Sequence, residues 1–219
     1  MAIRANFDTE LKELKDLLLK MGKLAEDALN KSIIALKEQN TDLALEVIDK
    51  DYKINQLEEE INDKGILMIA KQSPVASDLR RIIVALKISN DVERIADYAV
   101  NIAKSTIRVG DKPFIKPLVD IPEMARLTQG MLSSSLQAYY KEDITLATDL
   151  AEIDDQVDKM YGKTVQELLI LMSKNPDSIG QITQLAFVCR YLERTADHCT
   201  NISEHIIYLI KGKRYDLND

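Results

Sequence analysis

Apolar residues recur at three- and four-residue spacing along almost the whole chain, and the strict alternation of strands is nearly absent. The spacing predicts six helices, at roughly 8–39, 41–72, 76–109, 122–141, 143–173 and 178–211. The turn signals agree with these limits. Asn40-Thr41-Asp42 ends the first helix and caps the second, and Ser73-Pro74 stops the second, with Ser73 or Ser77 available to cap the third. Gly110 follows the third helix, where a C-terminal glycine belongs. Asn175-Pro176-Asp177-Ser178 separates the last two. Helices approaching 30 residues, about 45 Å long, joined by short turns must run antiparallel and pack as bundles.

Three of the five prolines, at 113, 117 and 122, fall in the stretch 109–122, which reads as a boundary between two halves. The sequence repeats across it. NDVERIADYAVNIAKS in the third helix aligns with RYLERTADHCTNISEH in the sixth at an offset of 100, so Glu93, Arg94, Ala96, Asp97, Asn101 and Ile102 recur as Glu193, Arg194, Ala196, Asp197, Asn201 and Ile202. In the second and fifth helices Asp51, Ile54, Asn55 and Leu57 correspond to Asp154, Val157, Asp158 and Met160, at an offset of 103. Solenoid repeats run to roughly 20–50 residues, so a period of this size marks a duplicated domain. The expected fold is all-α: two tandem, sequence-similar three-helix bundles at 1–110 and 122–219, with a linker at 111–121.

The repeat carries chemistry. Glu93 and Asp97 share a helix face, and Glu93 lies within about 20° of Ile82, Leu86 and Val100, in the apolar sector. Asp51 falls between Val47 and Ala44, with Asn55 about 40° round from it. In the second half Asp154 lies among Leu150, Val157 and Ala147, with Asp158 beside it, and Glu193 shares a sector with Ala186, Cys189 and Ile207. A lone Glu-x-x-x-Asp is ordinarily a solvated helix face. Here two helices per half carry the pattern, both halves repeat it, and the leading acids face inward. Carboxylates turned into a bundle are costly unless paired or bound to a cation. Their oxygens suit Mg, Mn, Ca or Fe, with Zn also compatible. The candidate metal ligands are therefore Asp51, Asn55, Glu93, Asp97, Asp154, Asp158, Glu193 and Asp197.

Several neighbours read differently. Arg94 and Arg194 point about 100° away from the glutamates and are expected to pair elsewhere. Glu58 faces inward, but its repeat counterpart is Tyr161, so a structural pairing with Arg80 or Arg81 is expected. Asn101 and Asn201 continue the ladder as secondary candidates. His198 and His205 lack the Glu-x-x-His spacing of di-iron bundles and are expected to be partly exposed, with no ligand role. No phosphate-cradling glycine loop, nucleophile elbow or Ser/His/Asp constellation is present, so no catalytic residue is assigned.

Composition adds exclusions. With 46% apolar and 30% charged residues, extensive disorder is not expected. A net charge of −7 is the opposite of a nucleic-acid footprint. No apolar run is long enough for a transmembrane helix, and MAIRANFDTELKEL has no signal-peptide core, so any membrane association would be indirect, through partners. Cys189 and Cys199 stand ten residues apart on one helix, about 15 Å, too far for a disulfide. Free thiols point to a reducing, cytoplasmic setting.

The segments DYKINQLEEEI, SPVASDLRRIIVALKISNDVERIADYAVNIA and YLERTADHCTNI resemble the PhoU family, over about residues 8 to 212. The resemblance implies two tandem three-helix bundles and multinuclear iron or zinc held by E(D)-x-x-x-D motifs. Glu93/Asp97 and Glu193/Asp197 match that motif outright, Asp154/Asp158 matches as its Asp variant, and Asp51/Asn55 departs at the second position, implying a weaker first-half site. It further implies a non-enzymatic negative regulator of the phosphate-starvation response and of high-affinity phosphate uptake. Such a protein would be a cytoplasmic adaptor, often homodimeric, between the ATPase subunit of the phosphate importer and a membrane sensor kinase. A metal-dependent phosphohydrolase using the acidic clusters is the alternative reading.

Overall fold

In the computed structural model, which describes residues 2–217, the apolar stripes become eight α-helices. They are α1 (Ala2–Glu38), α2 (Thr41–Lys50), α3 (Tyr52–Gln72), α4 (Ser77–Val109), α5 (Asp120–Lys141), α6 (Ile144–Thr148), α7 (Leu150–Lys174) and α8 (Ile179–Lys211), with a 3-10 turn at Pro176–Ser178. The described residues contain no strand.

Six expected helices become eight because two of them bend. At Asp51 the N–H reaches back only to Ile48 O, at 3.4 Å, while Ile54 N–H bonds Asp51 O at 2.8 Å. Both are three-residue bonds, so the ladder tightens locally. Asp149 marks the corresponding bend between α6 and α7. The bend lays α2 on α4 and α1, and lets α3 pack between them. Asn40 caps α2 as expected, its Oδ1 accepting Leu43 N–H at 2.9 Å. Asp143 does the same for α6, accepting from Thr145 and Leu146. Neither Ser73 nor Ser77 caps α4. Ser73 closes α3 in the left-handed conformation at φ 45°, and Ala76, at φ 47°, precedes α4 without a side-chain cap. Helix α5 starts at Asp120 instead of 122, because Pro122 sits in the first turn, where its missing N–H forfeits no intrahelical bond.

Helices α1–α4 form one bundle and α5–α8 the other. Leu14, Leu18, Met21, Ala25 and Leu29 of α1 are wholly buried at three- and four-residue spacing, as are Ile82, Ala85, Ile88, Val92, Ile95, Ala99 and Ile102 of α4. The apolar core is continuous through both bundles. The most extensive helix pair joins them: α4 lies antiparallel to α8. Arg80 reaches Leu209 O at 3.4 Å, Asp91 meets His198 Nδ1 at 2.8 Å, and Tyr98 stacks on Tyr191 at 6.0 Å. The last two contacts are equivalent under the repeat offset: 91 with 198, and 191 with 98. Tyr98 also faces its own counterpart His198, ring centroids 5.8 Å apart, so a pseudo-twofold axis passes beside this pair. Helices α1 and α5 meet across the halves at Gly22, where a Cβ would collide with the Leu136 side chain.

The segment between α4 and α5 is a packed strap. The Gln39 amide donates to Gly110 O and Lys112 O at 2.8 and 2.7 Å, and Gln181 Oε1 accepts Ile115 N–H at 2.7 Å. Phe114, Ile115 and Leu118 pack on the core. Cys189 and Cys199 are free and buried. No described helix is long and apolar enough to cross a membrane.

Candidate metal centres

The leading acid of each repeated pair is the more buried one, as its place in the apolar sector implies. In the second half, α7 supplies Asp154 and Asp158 while α8 supplies Glu193 and Asp197. Asp154 is 5% exposed, and the Glu193 side chain 12% against 28% for Asp197. One carboxylate oxygen each from Asp158, Glu193 and Asp197 lie within 4.8 Å of one another. Burial, then the charges of Asp158 and Asp197, push the Asp154 carboxyl from its ordinary 3.8 up to about 6. Burial followed by Asp197 raises both Asp158 and Glu193.

In the first half α3 and the bend before it supply Asp51 and Asn55, and α4 supplies Glu93 and Asp97. Burial followed by Asp97 raises the carboxyls of Asp51 and Glu93. The Asn55 amide donates to Asp51 Oδ2 at 3.3 Å, so it steadies the acid it was expected to join as a ligand. Among the described residues, only the second half brings three acidic groups within 4.8 Å of one another.

Three carboxylate oxygens are buried without a hydrogen-bond partner, Glu93 Oε2, Asp154 Oδ1 and Glu193 Oε2, of which Glu93 Oε2 has the Arg94 guanidinium 3.4 Å away as an ion-pair neighbour. All three belong to leading acids of the repeated pairs. A buried, unpartnered carboxylate oxygen is expensive. A hard cation satisfies that cost and relieves the mutual repulsion of its neighbours, so the donor set fits a metal.

Two expectations about neighbours change, those for Arg94 and Glu58. Arg94 and Arg194 fold three residues along their helices onto Asp97 and Asp197, both at 3.1 Å, because residues three apart share a face; Arg194 thus pairs away from Glu193 as expected, whereas Arg94 also lies 3.4 Å from Glu93 Oε2. Arg190 pairs with Glu193, and Arg194 also donates to the Tyr98 hydroxyl at 3.5 Å on α4. Glu58 does not meet Arg80 or Arg81. It accepts from Asn62 and lies close enough to Glu93 to help raise its pKa. Arg80 instead stacks on Tyr208, and Arg81 pairs with Asp78 and Glu142. Glu58 thus joins the first-half cluster, and its inward position was the signal. The histidines are partly exposed, as expected, and both pair with one buried acid. Asp91, 6% exposed, lies between His198 Nδ1 at 2.8 Å and His205 Nε2 at 3.3 Å, with the Asn201 amide at 3.5 Å. Burial alone would raise the Asp91 carboxyl, but the two histidine hydrogen bonds outweigh it and hold the group below its usual range. Sequence reasoning missed this cluster, since its members lie on helices that meet only across the halves.

An all-helical protein of duplicated bundles, each with inward acid pairs on neighbouring helices, is a narrow class. A family model described as the PhoU domain matches the chain twice, at residues 18–106 and 121–206. The chain belongs to the PhoU family. It is 40% identical to a phosphate-specific transport system accessory protein PhoU homolog of Clostridium acetobutylicum over 99% of both chains. Its identity to the Aquifex aeolicus homolog is also 40%, over 93% of this chain and 92% of that one. The crystal structure of PhoU from Pseudomonas aeruginosa superposes with a TM-score of 0.90 at 34% identity, covering 94% of this chain and 100% of that one. The phosphate transport system regulatory protein PhoU from Streptococcus pneumoniae gives 0.89 at 31% identity, covering 96% and 99%.

Proposed function

We propose that this protein is a metal-binding cytoplasmic adaptor that restrains high-affinity phosphate uptake and switches off the phosphate-starvation response when phosphate is plentiful. Its contacts are the ATPase subunit of a phosphate importer and the sensor kinase of that response, and it works as a homodimer, without catalysis. Two relatives of full matching length are named as accessory or regulatory proteins of phosphate transport, which supports the regulatory part.

The observation that carries the metal part is the pair of unpartnered buried oxygens on Asp154 and Glu193. Asp154, Asp158, Glu193 and Asp197 hold the metal in the second half; Asp51, Glu93 and Asp97, with Asn55, hold it in the first. Iron or zinc is the expected ion, with Mn, Mg and Ca as further oxygen-compatible choices. The cation cancels the repulsion among the acids and ties α7 to α8, and α3 to α4. Long, rigid helical faces then present the docking surface, and the net charge of −7 favours a basic partner patch.

Elemental analysis of the purified protein, capture of the importer ATPase or kinase from lysate, and phosphate repression in a deletion strain test this reading. Bound metal, capture of either partner and starvation genes left on in phosphate-rich medium are the expected results. Normal repression together with no capture removes the adaptor, and enzymatic turnover of a phosphoester with added Mn or Fe would point instead to a metal-dependent phosphohydrolase.

A further inference from the structure

Away from the acid clusters, one cleft gathers cations. After α8 the chain turns at Gly212 and comes back, with Leu217 against the core and its N–H bonded to Glu204 Oε1 at 2.9 Å. The returning segment, α4 and α8 border an open cleft of about 140 Å³ lined by Lys87, Glu204, His205, Tyr208, Arg214 and Tyr215, the last two exposed. In a chain of net charge −7, three of these six side chains are basic. They come from three separate elements. Among the described residues neither Lys87 nor Arg214 has an ion-pair partner. The single acid, Glu204, is engaged by the Leu217 N–H. His205 is held by Asp91, whose own charge is shared with His198 and Asn201.

We propose that this cleft binds a small tetrahedral oxyanion of the phosphate type. The volume suits a small ion, since sites for drug-sized molecules run to roughly 300–1,000 Å³. Donor geometry favours a tetrahedral ion over a planar carboxylate. A guanidinium fork, an ammonium and two phenols line it from three elements, more donors than two carboxylate oxygens use. The shared chemistry is the phosphoryl group, whether as free inorganic phosphate or as the end of a phosphomonoester. The site stands independently of metal binding. An occupant would tie α4 to the segment after α8, and so would report on the seam between the halves.

The test is calorimetric titration of the full chain, treated with chelator so that the acid clusters hold no metal to bridge phosphate. The probes are inorganic phosphate, glycerol phosphate and acetate. One equivalent of inorganic phosphate or of the phosphomonoester should bind saturably, and acetate should not. The tighter of the two binders identifies the source. Removing a charge-assisted donor should weaken binding roughly tenfold, about 1.4 kcal/mol, and Lys87→Met with Arg214→Met together roughly a hundredfold. Glu204→Gln keeps an acceptor for Leu217 and removes the repelling charge, so it should tighten binding. Helix content and urea midpoint of the double variant are measured alongside. Absence of saturable binding by the unaltered chain at millimolar concentration overturns the proposal. So does undiminished binding in the folded double variant.

Discussion

Asp154→Asn, made in metal-free protein, should stabilise the chain at neutral pH and do little at acid pH. The reasoning follows proton linkage. Below the ordinary aspartate value of 3.8 the side chain is protonated in both folded and unfolded states. As pH rises the unfolded chain ionises first, while burial and the Asp158 and Asp197 charges keep the folded group protonated until about 6. The folded state therefore loses stability across that window and stays lower above it. At 1.36 kcal/mol per unit the full shift is worth about 3 kcal/mol. Solvent reaching the rim of the cluster reduces this, so the expected gain for the variant at pH 7.5 is about 1–3 kcal/mol. For a chain of this size, 2 kcal/mol is roughly 4–8 °C in Tm. The assay is urea denaturation of both proteins at pH 4 and pH 7.5 with chelator present, and the quantity of interest is how their difference changes with pH. Adding metal should reverse the ranking at pH 7.5, since a cation favours the ionised form that asparagine cannot supply. A stability difference that is flat from pH 4 to 7.5 would refute the reasoning, because it would mean Asp154 ionises as easily folded as unfolded.

Glu193→Ala with Asp197→Ala should lower bound metal sharply in elemental analysis, and Glu93→Ala with Asp97→Ala should lower it less; the opposite ranking would make the first half the tighter site. Chains cut by an inserted protease site within 111–117 should run as one species in gel filtration, because the α4–α8 seam and the continuous core cross the cut; separate elution of folded halves would show the bundles to be autonomous. Gly22→Val should cost about 1–3 kcal/mol in urea denaturation by prising α1 from α5 at Leu136. An unchanged urea midpoint would show that this contact yields freely.

The helices and the duplication were legible because each rests on local pattern. Leu14, Leu18 and Met21 reveal a buried face by spacing alone, and Glu93 inherits its inward direction from Ile82 and Val100 on the same helix. The bends at Asp51 and Asp149 were not legible, since neither proline nor glycine marks them. Arg94 was misread because helical angle describes where a side chain leaves the backbone, while a guanidinium on a long stem can fold back to the adjacent Glu93. The Asp91 cluster was out of reach for a different reason. Asp91 and His198 are 107 residues apart, and nothing in either helix announces the other. The whole-length family resemblance supplied the bundle topology but not this seam.

The pseudo-twofold seam has a consequence for which halves can pair through α4 and α8. Two identical first halves meeting through α4 would set Asp91 against Tyr98, leaving a buried carboxylate without its imidazoles, and breaking such a pair costs about 3–5 kcal/mol. Two second halves would set Tyr191 against His198 and forfeit the same bond. The unlike residues of the two repeats therefore make the seam a lock and a key, and like halves do not fit each other there. Exchange of halves between molecules is a separate hazard, because there lock still meets key. Against that stands the strap, short and pinned by Gln39 and Gln181, which makes a chain's own second half the nearest partner of its first.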